Sequence, residues 1–503
     1  MGGSEKHSIQ RTDTFAPSDA RISSAKMVRA LKERYDAVIV GSGPNGLAAA
    51  ITLAEAGRSV LVLESDNTIG GGTRSASLTL PGFIHDICST VHPLAVVSPF
   101  FRKLESAPRK IEWVHPDIPL AHLFEDGTAV ILERSLEATM ESFGLDGAAY
   151  GKLMKPMLPV WEDLIGDILA PLHWPHRPMI MAHFGFHALR SLRHFAGKYF
   201  QDEKVQGFLA GLAAHGMVPL EWPATTSFAL VLAILGHVTG WPFARGGSVQ
   251  IAGCLAEHLR ALGGEIITDM PVVNVDDLPQ ARDILLDVTP RQVLSMAGHH
   301  FPNGYRRKLE RFRYVSGVFK IDWALDGPIP WKAQVCQKAG IVHLGGTLRE
   351  INQALFAARN GIHPEKPFVI VAQASLFDPA RAPVGKHTVW AYCHVPAGST
   401  TDMTEKVTAR VETFAPGFRD QILNSHIMRA SDMARYNPNY IGGDINGGIQ
   451  DLRQLFSRPV SCFNPYSTPL PGLHICSSST PPGGGVHGMC GVFAARSVLR
   501  RKA

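Results

Sequence analysis

Two glycine-rich segments stand near opposite ends of the chain, Gly41-Ser42-Gly43-Pro44-Asn45-Gly46 and Pro482-Gly483-Gly484-Gly485-Val486-His487-Gly488. The first follows a β-prone run at 35–40 and opens into a helix-forming stretch at 46–56, after which a second β-prone run, 58–63, delivers Glu64. Glycines at this spacing between a strand and a helix suit a dinucleotide. Gly41 permits the turn, Gly43 lets backbone approach a pyrophosphate, and Gly46 allows the helix to pack closely. Pro44 and Asn45 sit at the helix start, whose unpaired amides attract phosphate, and Glu64 is placed to receive a ribose hydroxyl. If the second segment grips the same ligand, the chain must fold back on itself and the ligand must be large.

Gly70-Gly71-Gly72-Thr73-Arg74 adds another close-approach backbone segment and a cation just after Glu64. That combination favours FAD over a nicotinamide coenzyme. The expected fold class is therefore α/β. A Rossmann-like FAD-binding domain is assembled from 35–100, 240–300 and 461–503, and a mixed α/β substrate domain with a helical insertion is built from 101–239 and 301–460. Residues 1–34 read as an extension, with a short helix around 24–33.

Proline-rich sequence at 157–180 interrupts any long helix, because proline lacks an amide donor and restricts its predecessor. The apolar run 228–235 is far shorter than the roughly 20 residues a bilayer span needs, so it reads as a buried helix or cavity wall. Past Gly246-Gly247, Val249, Ala252, Leu255 and Leu259 make a helical stripe, and 265–268, 271–275 and 283–288 read as strands. Further strands are expected at 311–322, 368–374 and 388–395, while 437–444 reads as a turn.

A formal charge of +5 is small for 503 residues, and without zinc-finger spacing or a long basic helix, nucleic acid is excluded as a partner. Seven scattered cysteines without a CxxC pair fit a reducing compartment, so a cytoplasmic location is expected, with peripheral membrane contact and homo-oligomers left open. The histidines form no HExxH or zinc-like spacing, and no metal is expected.

The motifs at 35–74, 240–275, 311–323 and 471–495 resemble the phytoene-dehydrogenase-related flavoproteins, especially the pyridine nucleotide-disulfide oxidoreductase domain-containing protein 2 group. The resemblance implies that Gly41, Gly43, Gly46, Glu64, Gly71, Gly72 and Arg74 form the amino-terminal FAD motifs. It implies that Arg245 lies in the glycine motif before the returning helix and that Val273 runs beside adenine. It also implies that Gly483, Gly484, Gly485, Val486, His487 and Met489 face the flavin.

FAD carries the redox chemistry, so the protein's tasks are positioning and electrostatics. The expected reaction is oxidation or desaturation of a largely apolar small molecule, an isoprenoid among the options, by hydride transfer to flavin, with an unidentified electron acceptor. A redox-neutral flavin-dependent isomerase and a non-catalytic lipid- or protein-binding FAD-fold protein are the alternatives. Lys320 and Asp322, on one face of a strand, read as an acid/base pair or a salt bridge, and His487 as a proton shuttle or cofactor contact. His215, Glu221 and His237 are weaker pocket candidates.

Overall fold

The computed structural model describes residues 34–104 and 109–500, so the expected extension and its helix at 24–33 lie outside the described residues, apart from Arg34. β1 (Arg34–Val40) buries Ala37, Val38, Ile39 and Val40 in succession, the pattern of a parallel strand covered on both faces. The glycine turn enters α1 (Pro44–Glu55), with Pro44 in the first turn, where a missing amide costs nothing. β2 (Val60–Leu63) returns parallel to β1, Val38 opposite Leu61.

Past three two-residue strands, β3 (Ile118–Leu123) and β4 (Ala129–Leu132) are followed by a helical stretch that includes α2 (Pro178–Ala188), α3 (Leu192–Tyr199), α4 (Glu203–Ala213) and α5 (Thr225–Val238). The chain then returns through α6 (Val249–Ala261), β5 (Glu265–Ile267) and β6 (Gln280–Leu286). β7 (Gly317–Leu325), β8 (Ala339–Leu344), β9 (Val369–Ala372), β10 (His387–Val395) and β11 (Ile422–Met428) follow, and β12 (Leu473–Ile475) and α7 (Met489–Leu499) close the described chain.

These strands form two main sheets. One has five strands in the order β12-β6-β1-β2-β5, with β1–β2, β2–β5 and β6–β12 parallel. The other has seven in the order β11-β7-β10-β9-β8-β3-β4, antiparallel except where β8 runs parallel to β3. In β7, Phe319, Ile321 and Trp323 enter the core while Lys320 and Asp322 share the opposite face, as the two-residue period of a strand requires.

Two strand expectations are corrected. Residues 271–275 form no strand: Pro271 has no amide to donate, and the Asn274 side chain accepts from the Asp276 amide at 3.1 Å to start a short turn at Val275–Asp277. The strand expected from 311 begins only at Gly317.

The first and last helices of the described residues, α1 and α7, pack against each other. A Cβ on Gly491 would lie 1.8 Å from the Asn45 carbonyl oxygen, and one on Gly488 3.0 Å from Ala48 Cβ. No other residue lets the two helices approach so closely, and this contact brings the second glycine segment beside the first.

Candidate functional site

One long cavity of about 1020 Å³ runs between the two sheets, at the upper end of the roughly 300–1,000 Å³ usual for small-molecule sites. At one end stand Glu64, Asp66 and the 270–272 segment, its middle is floored by Gly41–Asn45 and Gly71–Arg74, and Pro481, Pro482 and Gly484–His487 follow. Its other end is walled by α5, β8, β9 and β10, with Trp241 between them.

The floor is built from close approaches. Gly41 has φ +99°, a left-handed conformation that glycine alone adopts without strain, and a Cβ on Gly46 would stand 2.1 Å from the Gly41 carbonyl. Gly71 comes so near Gly43 that its Cβ would lie 3.3 Å from the Gly43 Cα. Glu64 is buried and accepts from the Ser42 amide at 2.9 Å and the Asp66 amide at 3.0 Å, so it braces the glycine turn while lining the cavity. Arg74 stacks 4.3 Å from the centre of the Tyr436 ring and pairs with Asp66. Burial opposes ionisation of Asp66, but the guanidinium outweighs it and holds the carboxyl below its ordinary range.

Gly41, Gly43, Pro44, Asn45, Glu64, Gly71, Gly72, Arg74, Gly484, Gly485, Val486 and His487 all line this cavity. The other expected cofactor residues do not. Val273 is 74% exposed, because the chain there is not a strand, and Val272 takes the wall position. Arg245 points outward and pairs with Glu112 at 2.8 Å. Gly46, Gly483 and Met489 stand behind the wall: Gly46 abuts Gly41, the Gly483 carbonyl accepts from His487 Nε2 at 3.1 Å, and the Met489 amide donates to His487 Nδ1 at 3.0 Å.

Both ring nitrogens of His487 are thereby committed to backbone, which fixes the Nε2–H tautomer, and burial pushes its pKa down to about 4. It is a neutral brace for the glycine loop, and neither nitrogen is free to shuttle a proton. Lys320 and Asp322 form a buried ion pair off the cavity wall, with the ammonium 5.9 Å from the ring centre of Trp390, which does line it. His85 Nδ1 lies 3.6 Å and His426 Nδ1 3.8 Å from the Asp322 carboxylate. Burial works against Asp322, yet Lys320 holds its carboxyl below the ordinary value.

Of the weaker candidates, His215 is on the wall and bonded to His343 at 3.1 Å, with its pKa pushed down to about 4 by burial. His237 instead bonds the Tyr150 hydroxyl at 2.8 Å, and Glu221 pairs with Arg193 on the surface.

Sequence reasoning missed two parts of the site. The 437–440 turn lies against the cavity, and its Asn439 accepts from the Thr289 amide at 2.9 Å. At the end of β6, Asp287 accepts from the Gly46 amide at 2.9 Å and reaches the wall. The pattern of hydrophobic residues could not reveal it, since Asp287 simply follows a strand. Burial, opposed by the Gly46 amide and reinforced by Glu64, raises its pKa well above the carboxylate range.

The arrangement fits an extended dinucleotide on the protein's own evidence. The first turn of α1 has no acidic residue and no side-chain cap, and Gly43, Pro44 and Asn45 at its start line the cavity. The helix's positive end therefore faces the middle of the cavity.

The FAD dependent oxidoreductase family model matches residues 36–335. The chain belongs to the FAD-dependent oxidoreductase family. As a member it uses FAD. Among relatives, the rat "Pyridine nucleotide-disulfide oxidoreductase domain-containing protein 2" is 26% identical over 93% of this chain and 94% of its own. "4,4'-diapolycopene oxygenase" of a Methylomonas species is 23% identical over 89% of this chain and 94% of its own. The crystal structure of an oxidoreductase from Methanosarcina mazei superposes with a TM-score of 0.64 at 15% identity, covering 92% of this chain and all of that one, a likeness of fold.

Asp287 gives this family member a testable signature. Its carboxyl lines the cavity beside the glycine turn, where its ionised form would repel a dinucleotide's phosphates. FAD affinity of the apoprotein is expected to fall as pH rises through the raised pKa of Asp287, with a proton taken up on binding. Asp287→Asn should tighten FAD roughly tenfold at alkaline pH and flatten the profile, about the effect of removing one nearby like charge. Fluorescence titration of apoprotein with FAD reads both; parallel profiles for the two proteins would refute this role.

Proposed function

We propose that this oxidoreductase oxidises or desaturates a largely apolar small molecule. Support comes from the cavity's far end. Ser227, Phe228, Val231 and Leu232 repeat along one face of α5 and meet Trp241, Ile341, Ile370, Trp390 and Tyr392. None of the described lining residues on α5, β8, β9 and β10 is a carboxylate or a fixed cation, and Asp167, which reaches the cavity beside α2, is already bonded to His173 and His176, so a charged substrate would be desolvated without a partner. The relative named a diapolycopene oxygenase puts isoprenoid hydrocarbons first among the candidates.

When bound, FAD supplies a two-electron acceptor for a substrate hydride. The chain's contribution is to bind and orient the substrate and to exclude water: α5 and the aromatic residues of the wall set the path, and the braced glycine loop fixes the backbone on the other side. His215 is the imidazole on the apolar wall, and with a pKa near 4 it is neutral and a weak base at physiological pH. The site therefore suits a substrate whose second hydrogen leaves as a proton without strong base assistance. We also propose that the cofactor domain comprises 35–100, 240–300 and 461–503, and the substrate domain 101–239 and 301–460.

Anaerobic spectroscopy of the FAD-loaded protein with a panel of isoprenoid and other apolar compounds tests the reading. The expected result is selective bleaching of the oxidised flavin band, with a product lighter by two hydrogens. A product of unchanged mass would replace it with redox-neutral isomerisation, and failure to retain FAD would end it.

A further inference from the structure

α2 forms one lip of the cavity and is apolar on two faces. Met181, Phe184 and Ala188 face inward and line the cavity. On the opposite side Met179, Ala182 and Phe186 succeed one another at helical spacing and are exposed, Met179 at 82% and Phe186 at 60%, while Leu189 just past the helix is half exposed at the cavity edge. The loop before the helix adds Leu172 and Trp174, both more than four-fifths exposed, and Leu172 also reaches the cavity. A helix with apolar residues on every side is ordinarily buried in protein or set against lipid.

This lip is a built structure. The buried Asp167 carboxylate accepts from His173 Nε2 at 2.8 Å and from the His176 amide at 2.9 Å, and pairs with the His176 ring as well. That clamp ties down both sides of Trp174 and leaves its indole in solvent. His187 anchors α2 to α3 through ring contacts with Phe195 and Tyr199.

Within the segment that forms the lip, the charge has one sign. Residues 168–200 contain Arg177, Arg190, Arg193 and Lys198 and no aspartate or glutamate. Arg177 and Arg193 pair with Asp163 and Glu221 outside the segment, while Arg190 and Lys198 have no carboxylate partner among the described residues, and Arg190 lies 4.1 Å from the Phe186 ring centre. Exposed apolar side chains with basic neighbours suit an anionic lipid interface. No helix among the described residues is long and apolar enough to cross a membrane, so contact through this lip would be with the surface.

We propose that the outer face of α2 and the 172–174 loop dock on an anionic bilayer, and that the cavity draws its substrate from the bilayer through the mouth beneath α2. Docking stands on the surface alone; loading rests on the apolar substrate proposed above. An extended apolar molecule would pass from lipid past Leu172 and Met181 to the α5 wall without crossing water.

The test uses the full chain loaded with FAD and vesicles of phosphatidylcholine, with and without phosphatidylglycerol. The protein is expected to float with the anionic vesicles, less so in high salt, and Trp174→Glu with Met179→Glu should cut that binding at least tenfold while flavin retention and circular dichroism stay unchanged. Neither residue lines the cavity. Wild-type protein that stays unbound, or a variant that binds equally well, overturns docking. A dimer broken by the variant, with no vesicle binding in either protein, overturns it in favour of a second copy on this face. For loading, the variant's flavin should be reduced at least tenfold more slowly by substrate presented in vesicles but equally fast by substrate in detergent; equal rates from vesicles overturn it. If neither route reduces the wild-type flavin, the proposed chemistry fails, and flotation still decides docking.

Discussion

Arg381→Met is expected to destabilise the protein by about 3–5 kcal/mol, the usual cost of removing one partner from a buried ion pair. Arg381 is 1% exposed and serves three acceptors: Asp86 at 2.6 Å, Asp378 at 3.1 Å and the Ala244 carbonyl at 2.7 Å. Asp86 also accepts from the Ser248 amide at the start of α6 and from Ser75 and Thr90. Burial alone would raise the Asp86 carboxyl, but Arg381 overcomes it and brings the pKa down to about 2. A depressed carboxylate contributes stability above its unfolded pKa and loses it as pH falls through the folded value, so the wild-type contribution is complete above about pH 4 and disappears toward pH 2. In the variant, two buried carboxylates lose their counter-charge and the Asp86 pKa rises. The deficit in urea unfolding midpoint should accordingly be greatest near neutrality and shrink in acid. Because Ser248 Oγ also donates to the Ser89 carbonyl on the cavity wall, FAD retention should weaken together with stability. A variant as stable as wild type at pH 7 would show that the cluster is not coupled to folding.

The nucleotide half of the fold was legible because its signals are local. Residues 35–64 combine a doubly buried strand, glycines whose absent side chains make room for backbone, and an acid at a strand end, and each follows from neighbours in sequence. The corrections have physical causes of another kind. Val273 and Arg245 were placed by motif position, but Pro271 breaks the strand and Glu112, remote in sequence, draws Arg245 outward. His487 stood in the expected loop, yet its role was decided by which backbone groups its two nitrogens meet. Asp287 and Asn439 enter the site by long-range packing between segments that carry no recognisable spacing. The substrate wall was visible only as the apolar run 228–235, and the choice between a core helix and a cavity wall needed the seven-stranded sheet opposite it.

Lys320→Met should cost about 3–5 kcal/mol of stability for the same reason as Arg381→Met, and it also separates two readings of the β7 pair. Lys320 is 1% exposed and Asp322 fully buried, and removing the ammonium leaves the carboxylate, among the described residues, with the imidazoles of His85 and His426 at 3.6 and 3.8 Å. One of those, His85, has its pKa pushed down to about 4 by burial, only partly opposed by Asp322, so it is neutral at pH 7 and gives no compensating charge. Replacing both members, Lys320→Met with Asp322→Leu, removes the unpaired charge together with its partner and is expected to recover most of the loss, since apolar pairs of similar volume commonly match buried ion pairs in stability. Flavin reduction then decides the role. If the pair only braces the strand behind Trp390, the double variant should reduce its FAD with substrate within a few-fold of wild type, measured by anaerobic stopped flow at saturating substrate. A double variant that is stable and binds FAD but is slowed a hundredfold or more would return Lys320 and Asp322 to the chemistry, because acid–base assistance is worth about that much or more. The ion pair's burial away from the wall favours the first outcome.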